Sequence, residues 1–296
     1  DGVVTLSSAP AAAAVGDEIA AVAVLPAHDD AVSAVAAAPG GSCGGLVTAS
    51  WDGKVALWDV ASAMAAAPPR GGAPAPAGEA TVELTGHAGR VLGLACGSGS
   101  GSEGTTIASC GEAWPAGGGA GGSVGPGSRG CGASTLLWDA RAPSGAVAGI
   151  HTTAHATAVR WLPASAAPTL AVGCIDGTTA VYDVRTLTSA PLVPCGAPGA
   201  SGRHRSGEVR MTPALWSLSA LGGSVRSLAS DGGVAEGGGG WRLAAAGDDT
   251  RLVLARSGDV PPRIAASGHA DYVHSCTFLP GGALLTASWD GTVRTH

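Results

Sequence analysis

A stretch near the start of the chain returns, little changed, at its end. Gly45-Leu46-Val47-Thr48-Ala49-Ser50-Trp51-Asp52-Gly53-Lys54-Val55-Ala56-Leu57-Trp58-Asp59-Val60 is matched by Leu284-Leu285-Thr286-Ala287-Ser288-Trp289-Asp290-Gly291-Thr292-Val293-Arg294. An internal repeat constrains a fold strongly, because each unit must bury its apolar surface against the next. Leu46, Val47 and Ala49 suit a strand buried on both faces. Asp52-Gly53 reads as a two-residue hairpin turn, since Gly tolerates the positive φ of a primed turn. Weaker copies lie between: Leu136 to Asp139, Val172 to Asp183 with Tyr182 in place of Trp, and Ala245 to Leu254 without the aromatic. The steps from Asp139 to Asp183 and from Asp249 to Asp290 fit the ~40–45-residue period of a four-stranded propeller blade.

Most units also begin alike, with a His ahead of a short apolar strand: His28 before Val32, His87 before Val91, His155 before Ala158, His269 before Val273. Two of these are Gly-His pairs, Gly86-His87 and Gly268-His269. With Trp-Asp at the other end of the unit, the chain resembles the WD40 family. The resemblance implies an all-β WD40 β-propeller, seven-bladed in the full protein, with residues 1–296 as a single domain. Five units are traced, from His28, His87, His155, roughly Ser224 and His269, plus a partial one. Asp1-Gly2-Val3-Val4-Thr5-Leu6 matches Asp52 to Leu57, so the chain is expected to begin in mid-blade. It stops at His296, where a blade's Trp belongs, and so reads as a fragment lacking part of its first and last blades.

The family's blades are locked by a buried chain of His, Ser/Thr hydroxyl, turn Asp and Trp indole, because each buried polar atom needs a partner. The resemblance assigns these roles to His28, Ser50, Asp52 and Trp58 in the first full unit. In the last it assigns them to His269, Ser288 and Asp290, with His296 at the Trp position. The His87 unit has no obvious turn Asp, and the Asp249 unit no clear His.

The formal net charge is −6, and no basic block exists, which argues against nucleic-acid binding. No run of ~18 apolar residues marks a membrane span. Seven Cys, an odd number without C-x-x-C, read as reduced thiols of a cytoplasmic or nuclear protein, with a Cys110–Cys131 pair a minor alternative. Ala61–Ala80, Gly97–Gly104, Trp114–Gly132, Cys195–Gly207 and Asp231–Gly240 are Gly-, Ala- or Pro-rich and are expected to be surface loops. Ala61 to Ala67 has helical propensity, stopped by Pro68-Pro69.

No catalytic, cofactor-binding or metal-binding constellation is expected. His151-x-x-x-His155 has ligand spacing but reads as a loop entering a strand, with His155 the structural His of its blade. Asp29-Asp30 and Asp248-Asp249 fit blade-start or turn positions. The Gly-rich runs carry no Lys-Ser/Thr and follow no βα unit. The informative positions are Trp51 and Trp289, each just before the turn Asp, where the family contacts partners on one rim of the toroid. Ile175 and Asp248 hold the same position in other units.

A narrower resemblance rests on His28-Asp29-Asp30-Ala31-Val32-Ser33-Ala34-Val35, Leu136-Leu137-Trp138-Asp139-Ala140-Arg141-Ala142-Pro143, His269-Ala270-Asp271-Tyr272-Val273 and Leu284-Leu285-Thr286 before Trp289-Asp290-Gly291. In this order they resemble the WD-repeat subunits of methylosomes, the partners of type II protein arginine methyltransferases. This implies a non-catalytic scaffold presenting Arg-rich substrates. A generic WD40 adaptor, such as a ubiquitin-ligase substrate receptor or a transport or ciliary scaffold, is the alternative.

Overall fold

The computed structural model describes residues 2–8, 20–38, 45–65, 75–76, 79–97, 106–113, 133–141, 145–163, 168–187, 214, 216–219, 221–233, 240–257 and 263–296. The chain enters through β1 (Val3–Ser8) and β2 (Ala20–Pro26), which pair antiparallel. β3 (Val32–Ala37), β4 (Gly45–Ser50) and β5 (Lys54–Asp59) follow, then helix α1 (Val60–Ala65), β6 (Ala75–Pro76) and β7 (Val82–Thr85). β3, β4, β5 and β7 form one antiparallel sheet, while β6 joins β2 in parallel. The same order recurs in β8 (Val91–Gly97), β9 (Thr106–Gly111), β10 (Thr135–Asp139) and β11 (Ala148–Ile150). It recurs again in β12 (Ala156–Leu162), β13 (Thr169–Cys174), β14 (Thr178–Asp183) and, after helix α2 (Val184–Leu187), β15 (Trp216–Ser219). β16 (Val225–Gly233), β17 (Gly240–Gly247), β18 (Arg251–Arg256) and β19 (Arg263–Ala266) make the next sheet, and β20 (Val273–Phe278), β21 (Leu284–Ser288) and β22 (Val293–Thr295) the last. The five sheets after β1–β2 begin at the units traced from His28, His87, His155, Ser224 and His269. This is an all-β propeller architecture.

The central strands of the sheets are buried on both faces, which explains why they are continuously apolar instead of alternating, whereas β3, β19, β20 and β22 are partly or wholly exposed. Thr169–Cys174 is buried at every residue. The cores lie between blades. Trp58 and Ala56 pack with Leu25 and Ala23; Val47, Leu57 and Leu84 with Ile107, Leu136 and Trp138. Leu137 and Ile150 pack with Leu170 and Tyr182, Val181 with Leu243 and Val253, and Leu252 with Val273 and Leu284. Side chains also join successive inner strands. Trp161 Nε1 donates to Ala95 O (3.2 Å), Thr157 Oγ1 to Val225 O, and Ser227 Oγ accepts from Cys276 N (3.2 Å).

A register shift falls at the same place in every inner strand, between Val32/Ala34, Val91/Gly93, Ala156/Ala158, Val225/Ser227 and Val273/Ser275. These bulges make the units superimposable by register and correct one assignment. Val32, Val91 and Val273 open their strands four residues after His28, His87 and His269. In the third blade the opening residue is Ala156, so the structural-His position is Thr152, and His155 sits one residue before the strand. His155 Nδ1 instead accepts the backbone N–H of Ala113 from the neighbouring blade (3.0 Å).

Two further expectations are corrected. The hairpin turn holds three residues, Trp51 to Gly53, not two. Ser50 O accepts from Gly53 N (3.3 Å), and Gly53 takes φ 84°, as do Gly177 and Gly291 with φ 81° and 78°. A turn closed by a left-handed Gly meets the twist of the strands without a primed pair. Asp231–Gly240 is not all loop, since Asp231, Gly232 and Gly233 extend β16 by pairing with Arg242, Trp241 and Gly240. Backbone pairing needs no side chain, and the Asp231–Arg242 ion pair fastens it. α1 occupies part of Ala61–Ala67, capped by Asp59, which accepts from Ser62 N (3.1 Å). The Trp114–Gly132 and Cys195–Gly207 inserts and Cys131 lie outside the described residues, while Cys110 is a buried free thiol.

Thr135 and Thr179 stand three residues before Trp138 and Tyr182, the place Val55 takes before Trp58. Both are buried, and among the described residues their hydroxyls have no partner. Removing an orphaned hydroxyl while keeping the shape is favourable, so Thr135→Val and Thr179→Val are each expected to stabilise by about 1 kcal/mol. A higher urea midpoint checks this.

Candidate protein-binding rim and the network beneath it

In the first full blade the buried network is complete. Trp58 Nε1 donates to Thr48 Oγ1 (3.0 Å), Thr48 Oγ1 lies 2.8 Å from His28 Nε2, and His28 Nδ1 lies 2.9 Å from Asp52 Oδ2. Indole can only donate and carboxylate can only accept, which fixes the direction. The Thr48 hydroxyl donates to His28 Nε2, and Nδ1–H donates to Asp52. The hydroxyl is therefore Thr48 and not Ser50. Both point to the same face of β4, but Trp58 and His28 converge one pleat further from the turn. Ser50 works inside the turn, donating to Asp30 O (3.2 Å) and accepting from Asp52 N (3.1 Å). The last blade repeats this with Thr286 in place of the expected Ser288. His269 Nε2 meets Thr286 Oγ1 at 2.8 Å, Nδ1 meets Asp290 Oδ2 at 3.0 Å, and His296 Nε2 takes the indole's place on Thr286 at 3.0 Å. Ser288 donates to Asp271 O (3.1 Å). The Thr292 hydroxyl, with backbone N–H groups and His269, holds Asp290 well below the usual carboxylate range.

The other blades are incomplete in different ways. His87 Nε2 and Trp138 Nε1 meet on Ser109 Oγ (2.7 and 2.8 Å), but Ala113 stands where Asp52 would, and buried His87 Nδ1 has no partner among the described residues. Desolvation pushes His87 down to about 4. In the third blade Thr152, Val172 and Tyr182 replace the His, hydroxyl and Trp. In the fourth the positions are Leu221, Ala245 and Ala255, all buried, and Asp249, without a His, pairs with Arg251, whose hydrogen bond lowers its pKa. The Asp of each Trp-Asp or Tyr-Asp pair has a role that the motif alone does not show. Asp139 and Asp183 accept from the backbone and guanidinium of Arg141 and Arg185, closing the turn after the third strand.

Above this network lies the rim. Trp51, Ile175, Asp248 and Trp289 each follow the second strand directly. Each donates its backbone N–H to the residue before the inner strand: Ala31 (3.0 Å), His155 (2.9 Å), Ser224 (2.9 Å) and Tyr272 (3.1 Å). The turns therefore hold these side chains at one end of their blades. Trp51, Ile175 and Trp289 are 42%, 49% and 71% exposed, although large apolar side chains are usually covered. The guanidinium of Arg90 lies 4.7 Å from the Trp51 ring, and His274 tilts against Trp289. Asp248 is held by Arg226 through two bonds of 2.7 and 2.9 Å. Asp29, Asp30, Asp176 and Asp271 are exposed at the same end. Sequence reasoning missed Arg90 and Arg226, which only the fold brings to the rim.

Among the described residues no group of three or more His, Cys, Asp or Glu could hold a metal. Burial pushes the Cys96, Cys174 and Cys276 thiols up to about 11, so they stay protonated at neutral pH. No helix among the described residues is long and apolar enough to cross a membrane.

The fold and its rim define a WD40-type β-propeller. Residues 20–59 and 262–295 match the WD40 family model, described as WD domain, G-beta repeat. The matched segments run β2–β5 and β19–β22, so each repeat takes one strand of one sheet and three strands of the next. The chain carries WD40 repeats, and WD40 proteins are in general non-catalytic scaffolds for protein–protein interaction. No curated protein matches the chain significantly.

Proposed function

We propose that this chain, folded as one propeller domain, is a non-catalytic scaffold in the cytoplasm or nucleus. More specifically, it is the WD-repeat subunit that holds a type II protein arginine methyltransferase and presents Arg-rich substrates to it. The observation that carries the scaffold reading is the set of exposed apolar side chains at equivalent rim positions, Trp51, Ile175 and Trp289. Aromatic groups ringed by polar ones are where binding energy concentrates. The exposed carboxylates around them and the net charge of −6 suit cationic tails. The narrower reading adds the ordered blade-start and blade-end segments.

The test is affinity purification of the full-length protein, followed by a methylation assay on an Arg/Gly-rich peptide. A methyltransferase is expected in the eluate. Trp51→Ala with Trp289→Ala is expected to weaken that association by roughly 30-fold or more, the loss at a true hot spot. Thermal unfolding should stay unchanged, since both rings are exposed. Recovery of a cullin ligase or a transport complex instead would leave the generic adaptor.

A further inference from the structure

The inner strands run away from the rim, and at their far ends the sheets leave a cleft of about 480 Å³. That is within the ~300–1,000 Å³ range of ligand pockets. Its walls are mixed: apolar side chains of Val35, Leu94, Trp161, Leu162, Pro163 and Pro168 alternate with about as much polar surface, including Arg160 and Ser230. The Trp161 wall is fixed on both sides. Its indole N–H is held by Ala95 O (3.2 Å), and its ring lies over Gly97, where a Cβ would come within 2.8 Å. Gly97 is therefore the residue that lets the wall stand.

Arg160 lines this mixed space. Lys54, Arg141, Arg185, Arg226, Arg242 and Arg251 sit on carboxylates. Among the described residues Arg160 does not, and it differs from Arg90, Arg256, Arg263 and Arg294, which also form no ion pair there, in lining the cleft. Arg160 is exposed. Its Nε donates to Ser230 Oγ (3.3 Å), whose own hydroxyl donates to Trp161 O (2.8 Å). Ser230 thus orients the guanidinium without neutralising it. The nearby Asp231 is engaged by Arg242.

We propose that this cleft binds a peptide segment in which an Asp or Glu is flanked by apolar side chains, with the carboxylate on Arg160 and the apolar groups against Trp161 and Leu162. A guanidinium can meet a carboxylate through two parallel bonds, which gives direction as well as attraction. The site is separate from the rim and does not rest on the methyltransferase reading.

The probe is a fluorescein-labelled, terminally blocked Leu-Pro-Glu-Leu-Leu peptide, compared with its Gln counterpart by fluorescence anisotropy on the whole chain. The Glu peptide is expected to bind roughly tenfold or more tightly than the Gln peptide, as for a hydrogen bond to a charged group. Arg160→Gln should abolish that difference, Arg160→Lys should keep part of it, and Trp51→Ala with Trp289→Ala should leave it intact. Equal affinity for the two peptides, no binding of either, or a preference that survives Arg160→Gln would overturn the proposal. Loss of the preference in the rim variant would overturn the separateness of the site.

Discussion

Replacing Thr48 by Val is expected to lower the unfolding free energy by about 2–4 kcal/mol, because one change of similar shape leaves two buried groups unpaired. Thr48 is fully buried and stands between the Trp58 indole and the His28 imidazole. Without the hydroxyl, Trp58 Nε1–H has no acceptor and His28 Nε2 has no donor. Ser50 is equally buried, but the groups it serves, Asp30 O and Asp52 N, belong to an exposed and a half-buried residue that water can reach. Ser50→Ala is therefore expected to cost only about 1 kcal/mol. Urea unfolding with an unchanged m-value separates the two. A Ser50→Ala loss equal to that of Thr48→Val would return the hydroxyl role to Ser50.

Acid should expose the defect in the second full blade. His87 is buried, neutral and pushed down to about 4 from an ordinary 6.5. Below the unfolded value the unfolded chain binds a proton that the folded chain refuses, so stability falls as the pH drops from 6.5 and levels off below 4. The loss attributable to His87 is roughly 3 kcal/mol. Carboxylates add their own loss at lower pH: Asp183, held low by the Arg185 hydrogen bond, and Asp249, held low by Arg251, stabilise the fold above their unfolded values. The His87 share is therefore read as the difference between the wild type and His87→Gln across this window. Ala113→Asp places a carboxylate where Asp52 serves His28, and is expected to raise the His87 pKa and flatten the loss. An identical pH profile in His87→Gln would show that His87 is not the group responsible.

Much of the architecture was legible because it is periodic. Val32–Ala37, Gly45–Ser50 and Lys54–Asp59 are strands for the reason the residues suggest: β-branched and apolar runs bounded by Gly and Asp turn signals. The blade starts at His28, His87 and His269 were equally clear. The third was displaced, because His155 imitates the motif while Thr152 holds the position, and only strand register can tell them apart. Ser50 and Thr48 are likewise indistinguishable on paper. They lie two residues apart on one strand face, and the choice depends on where Trp58 and His28 converge across the sheet.

The sequence by itself determined the repeat, the all-β class and the hairpin tips marked by Asp52-Gly53, Asp176-Gly177 and Asp290-Gly291, which put Trp51 and Trp289 at the tips. These follow from local patterns of burial and turn chemistry. The exposure of Trp51 and Trp289 is a finding of the structure. Tertiary structure decided everything that depends on a neighbouring blade: Arg90 against Trp51, Arg226 on Asp248, the orphaned nitrogen of His87, and the cleft around Arg160. The reason is physical. A strand's own residues set its periodicity, but its faces are completed by strands about forty residues away in the repeat, and no local pattern specifies which side chains meet there.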